Sequence, residues 1–147
     1  MSINRTAEGA PTRSQPVAET HFSYPGDRSP AIMYRGGNIV TFNDWGFVSP
    51  TEGWSLNILA GMVTDGASVP RIFFPLISAW DLSFSAPIAH DHLYRVAGQP
   101  RGVFPLTKTF SRAETDRIFR LLQEDEGVWW WRRWLSWLAV RGFGFFA

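Results

Sequence analysis

Apolar positions along the chain repeat with two different periods, and the change of period falls near residue 70. Before it, the spacing is that of strands. Ala31 to Phe42 (AIMYRGGNIVTF) holds two short β-prone runs around Gly36-Gly37-Asn38, residues that tolerate positive φ, and so predicts a hairpin. Asn43 to Gly46 reads as a turn and Pro50 to Gly53 as a further break. In Trp54 to Val63, Trp54, Leu56 and Ile58 alternate with Ser55, Asn57 and Leu59, which predicts a strand with one buried face. Together these runs predict a small antiparallel sheet of three or four strands. Thr64 to Pro70 (TDGASVP) is a turn-rich link: Gly66 permits a tight bend, Asp65 can cap the following turn, and Pro70 stops it. Arg71 to Trp80 is apolar, with Pro75 breaking any regular helix.

Beyond that point the helical period takes over. Ser85 to Arg95 (SAPIAHDHLYR) predicts a helix with Ser85 as cap and Pro87 in the first turn. Ala86, Ala89, Leu93, Val96 and Ala97 form its apolar stripe, and Asp91 and Arg95 lie away from it. His90 and Tyr94 stand one above the other at the edge of the stripe, where they are expected to be half-buried. A loop, Gly98 to Thr109, follows. Ser111 to Leu122 (SRAETDRIFRLL) opens with a capping box between Ser111 and Glu114. Its core face is Ile118, Phe119, Leu121 and Leu122, with Asp116 at the flank. A third helix runs from Val128 to about Arg141, with Trp130, Trp131, Trp134, Leu135, Trp137 and Leu138 on one broad side and Arg132, Arg133 and Ser136 opposite. The ordinary expectation is that the Trp side closes the core. Arg141 projects from that side and needs an acceptor, for which Asp65, Asp91 and Asp116 are the candidates. The fold class expected is α+β: a small N-terminal antiparallel sheet packed against a C-terminal bundle of about three helices. It would form a single globular domain over residues 21–147, β-rich to 70 and helical after it, preceded by a flexible arm over 1–20 that carries Pro11 and Pro16 without periodicity.

Composition narrows the function more than the fold. At 147 residues, 45% apolar and 18% charged, the chain is long enough for one proper core, and eight Trp is an unusual load of large flat side chains. A net charge of +1 without a Lys/Arg run argues against a nucleic-acid partner. The absence of cysteine excludes disulfides, thiolate metal sites and cysteine nucleophiles. No basic segment followed by an apolar run opens the chain, so no signal peptide is expected. Val128 to Ala147 is apolar, but Arg132, Arg133 and Arg141 interrupt it and no transmembrane span is expected.

Three chemistries can be built from these residues. If the two central helices pack side by side, Asp116 can hold the His90 imidazole in one tautomer, which leaves its second nitrogen to take a proton from water. Asp91, with Asp65 or backbone carbonyls, would then hold a divalent cation such as calcium to polarise an ester carbonyl. Alternatively Ser68 is a nucleophile completed by His90 and Asp116, although Gly-Ala-Ser-Val-Pro lacks the strand, elbow and helix pattern of such a serine. A metal phosphohydrolase on His90-Asp91 would need more histidines than His21 and His92 supply. Against all three stands a non-catalytic reading, in which His90 and Asp116 form a structural pair and the Trp helix and the arm engage a partner.

Two resemblances bear on the choice. TDGASVPRIFFPL, HDHLYR, SRAETDRIF and WRRWLSWLAVRGFG, in that order, resemble an uncharacterised family of phage and prophage proteins known as a domain of unknown function, over about Ala31 to Gly144. That implies a viral setting, in the host cytoplasm or the virion, with phage structural proteins or the host envelope as partners. HDHLYR also resembles the catalytic helix of secreted phospholipases A2. In that family the histidine activates water, the next aspartate binds calcium, the tyrosine braces the site and an aspartate on an antiparallel helix supports the histidine. By position the resemblance implies these roles for His90, Asp91, Tyr94 and Asp116. The family's helix-pairing cysteine corresponds to Leu93, and its calcium loop has a counterpart only if Asp65-Gly66-Ala67 serves. The expectation drawn is a metal-assisted His–Asp hydrolase acting on ester or phospholipid bonds, with a non-catalytic virion or host-interaction protein as the alternative.

Overall fold

The computed structural model describes residues 20–36, 38–64, 85–105 and 108–143, the side chains of 139, 140 and 143 excepted. The readings made for the arm, for Asp65 and Ser68, and for Arg71 to Trp80 lie outside the described residues. Within them the fold is α+β, with short antiparallel strands in the N-terminal part and three helices toward the C-terminal end.

β1 (Ile32–Arg35) and β2 (Asn38–Thr41) form the hairpin, in a register that pairs Ile32 with Thr41 and Arg35 with Asn38. Gly36, at φ 58°, supplies the left-handed residue of the turn. β5 (Val63–Thr64) adds to the other edge of β2, giving the order β1-β2-β5. A second sheet takes the order β3-β4-β6 from Trp45–Ser49, Trp54–Ile58 and Val103–Phe104.

The expected single sheet is therefore two, for identifiable reasons. Asn43 to Gly46 is not a turn throughout, because β3 begins at Trp45 and buries Trp45, Phe47 and Ser49 on one face. The true turn is Asn43 and Asp44, whose side chains accept from the backbone N–H groups of Ala31 (2.9 Å) and Ala60 (2.8 Å). Gly46 looked like a turn residue but is needed for closeness. A Cβ there would sit 2.4 Å from the Leu56 carbonyl oxygen of the paired strand. β4 keeps the predicted alternation but stops at Ile58, and the chain turns at Gly61 before joining the other sheet as β5.

α1 (Ser85–Arg95) and α2 (Arg112–Asp125) lie side by side, and α3 (Trp130–Phe143) packs on α2. Gly98, at φ 76°, ends α1 by donating to the Leu93 carbonyl (2.8 Å) and lets the chain pass against Phe110. α2 opens with the capping box: Glu114 N–H donates to Ser111 Oγ (3.2 Å) and Ser111 N–H to Glu114 Oε2 (2.8 Å). One apolar cluster joins the second sheet to the helices, with Phe47, Trp54, Leu56 and Ile58 meeting Ile88, Leu93, Phe119 and Leu122. Full burial of Ile58 and Leu122 contributes about 2 kcal/mol each. Phe22 enters the same cluster edge-on to Phe47, with ring centroids 4.8 Å apart. The segment that carries it is tied to the end of α2 by Asp125, which accepts from the N–H groups of His21 (2.7 Å) and Phe22 (3.0 Å) and from Tyr24 Oη (2.9 Å).

α3 reverses the expectation made for it. Its polar side faces α2, where buried Ser136 donates to Gln123 Oε1 (3.0 Å) and Arg133 pairs with Glu124 (3.2 Å). Trp130, Trp134, Leu135 and Leu138 are exposed, so the Trp side does not close the core. The flank of α2 that α3 meets carries the buried amide of Gln123, and a polar helix side satisfies that group where tryptophans would leave it unpaired.

Candidate active site

The α1–α2 packing brings His90, Tyr94 and Asp116 together. His90 and Tyr94 are one turn apart on α1 and their rings stack, with centroids 4.3 Å apart at 29°. Asp116 is one helical turn before Arg120 and presents its carboxylate across the helix interface. Its Oδ1 lies 3.1 Å from His90 Nε2 and accepts from Tyr94 Oη at 2.9 Å. Its Oδ2 accepts from Arg141 Nη1 of α3 at 3.2 Å. Arg141 thus reaches Asp116 among the three carboxylates considered for it, while keeping about half its side chain in solvent. Three helices meet on one carboxylate.

Burial departs from expectation in one respect: His90 is 5% exposed, not half-buried, and Asp116 is 2% exposed. Phe119 closes over the imidazole edge-on, at 5.2 Å between ring centroids. Burial on its own would raise the Asp116 pKa, but hydrogen bonds from His90 and Tyr94 and the positive charge of Arg141 outweigh it and hold the carboxyl below its ordinary value. It is ionised at neutral pH. The Tyr94 hydroxyl moves the other way, raised by burial and by the bond to Asp116, and stays a donor. An ionised carboxylate against Nε2 favours the tautomer with the proton on Nε2, so Nδ1 keeps its lone pair.

The remaining candidates lie elsewhere. Asp91, one residue along α1, forms an ion pair with Arg95 (3.0 Å), its own side chain largely buried. Among the described residues no group of three or more His, Asp or Glu side chains converges on a point that would hold a metal ion. Those residues do not by themselves build the calcium site that the phospholipase resemblance implies. His92 points away from His90, its Nε2 is buried without a hydrogen-bond partner among the described residues, and that burial lowers its pKa.

Arg112 was overlooked in the sequence. Its guanidinium lies over the Tyr94 ring, 5.4 Å from the centroid. The signal was its spacing, since Arg112 stands four residues before Asp116 and shares its helix face. Asp125 was missed as well, because nothing local marks a carboxylate whose partners are about a hundred residues away.

Residues 41–140, from the end of β2 through nearly all of α3, match a family described as a protein of unknown function, DUF1353. The chain belongs to that family. The matched stretch holds His90, Tyr94 and Asp116, whereas β1 and the Phe22 segment precede it. No curated protein and no solved structure matches the chain. Among the described residues no helix is long and apolar enough to cross a membrane.

Proposed function

We propose that the chain is a His–Asp hydrolase of carboxylic esters, with lipid esters as the substrate class. The observation that carries the reading is the 3.1 Å contact between His90 Nε2 and the ionised carboxylate of Asp116, which leaves Nδ1 as the basic nitrogen. In the forward step a water oxygen bonds to the ester carbonyl carbon while its proton passes to Nδ1. Asp116 stabilises the imidazolium that results. As the tetrahedral adduct collapses, the carbon–oxygen bond to the alcohol breaks and the imidazolium returns the proton to the leaving oxygen. Tyr94 and Arg141 act through Asp116 and are positioning residues. The lipid ester is favoured by the likeness of HDHLYR to the phospholipase A2 helix, and the phage or prophage setting rests on the motif resemblance alone.

The non-catalytic reading draws on two observations: the near-complete burial of His90 and the outward tryptophans of α3. In it, the His90–Asp116–Arg141 network is a clamp across three helices and the protein acts by contact.

One assay separates them. Purified wild type, His90→Gln, Asp91→Asn and Asp116→Asn are compared on short-chain esters and on phospholipid vesicles, with calcium or with a chelator. The hydrolase reading expects His90→Gln to lose about 10²–10⁴-fold in rate while retaining the fold by circular dichroism. Asp91→Asn separates a metal-assisted form of the reading, in which calcium raises the wild-type rate but not the variant's, from the metal-free form. An equal, calcium-independent background from all four proteins removes both and leaves the clamp.

A further inference from the structure

α3 turns five of its large apolar side chains, Trp130, Trp131, Trp134, Leu135 and Leu138, toward solvent. At 100° per residue, positions 130, 131, 134, 135, 138 and 141 fall in one sector about 140° wide. Trp130 is 64% exposed and Leu138 57%, with Trp131, Trp134 and Leu135 also open and Trp129 continuing the surface before the helix. Positive charge lies beside the rings: the guanidinium of Arg132 is 5.1 Å from the Trp131 ring centre and that of Arg120, from α2, 4.9 Å from Trp134, while Arg141, whose charge is shared with Asp116, lies 5.6 Å from the half-buried Trp137 at the edge of the face. From Gly127 to Ala147 the chain has no Asp or Glu.

We infer that this face docks the protein on an anionic lipid bilayer, with α3 lying in the plane of the headgroups. Tryptophan with flanking arginine is the pairing that an interface between hydrocarbon and water selects, because the indole has an apolar body and a polar N–H while the guanidinium meets phosphate. Fourteen helical residues span about 21 Å, short of the roughly 30 Å of a hydrocarbon core, so the helix lies along the surface. A second copy of the face fits less well. A two-fold contact would set cationic surface against cationic surface, with no carboxylate from α3 between them. The inference does not depend on the hydrolase reading, since a clamp protein would dock in the same way.

The test uses the full chain with vesicles of ether-linked lipids, which an esterase does not cleave, made of neutral phosphatidylcholine alone or mixed with phosphatidylglycerol. The expected result is co-sedimentation with the anionic vesicles, accompanied by a blue shift of tryptophan emission and weakened by high salt. A Trp130→Ala/Leu138→Ala variant, altered only at exposed positions, should keep its thermal midpoint and lose partitioning by about tenfold or more. Absence of binding to anionic vesicles overturns the inference, and so does equal binding by the double variant. A concentration-dependent dimer that Trp130→Ala/Leu138→Ala abolishes, without vesicle binding by either form, assigns the face to a second copy instead.

Discussion

Asp116→Asn is the perturbation that most directly interrogates the helix junction. The substitution keeps the shape of the side chain and removes its charge. Two nearly buried bonds, from His90 and Tyr94, lose an ionised acceptor, at about 1 kcal/mol each given that charge-assisted bonds are roughly twice as strong as neutral ones. The Arg141 contact adds less than about 1 kcal/mol, because that guanidinium is half in water and hydrates when released. The sum is about 2–3 kcal/mol, which for a chain of this length lowers the thermal midpoint by roughly 5–10 °C. Denaturant unfolding followed by tryptophan fluorescence measures it. The pH dependence gives a second readout with a fixed sign. A carboxyl held below its ordinary 3.8 contributes stability that is complete above about pH 4 and is lost as pH falls below that value. The gap between wild type and variant should therefore narrow on acidification. A variant within about 0.5 kcal/mol of wild type at neutral pH, with the same acid profile, would refute the claim that the charge on Asp116 organises the junction.

Two further predictions concern stability. Asp125→Ala removes the acceptor of three bonds from His21, Phe22 and Tyr24 and should cost about 3–4 kcal/mol by denaturant unfolding; a loss under about 1 kcal/mol would show that water replaces the carboxylate. Glu114, bonded by Lys108 and by the Ser111 backbone, has its carboxyl lowered to about 2, so the capping box contributes fully above about pH 4.5 and is lost as pH falls toward 2. Because that side chain is partly exposed, the contribution is about 1 kcal/mol, and Ser111→Ala should remove a similar amount at neutral pH.

Much of the helical half could be read from the chain, because each signal there is local. The capping box, the core face of α2 and the stacking of His90 on Tyr94 follow from spacings of three and four residues. That Asp116 meets them follows from two amphipathic helices needing each other's apolar faces. Features that depended on which surface a neighbour offers were not readable. α3 has an apolar and a polar side, and only the composition of the α2 flank decides which is turned inward. β3 was hidden by Gly46, whose need for a close approach to Leu56 looks the same, in sequence, as a need for a turn. His90 is buried more deeply than its place at the stripe edge implies because Phe119 reaches across from the other helix.

The Asp125 latch bears on how the family's domain should be delimited. A fragment trimmed to the matched residues 41–140 would lack Phe22, Tyr24 and the whole of β1. Asp125 would then be a carboxylate stripped of its donors, and the aromatic pocket around Phe47 and Trp54 would stand open. The autonomous unit thus includes the chain from at least His21, upstream of where similarity alone would draw its border.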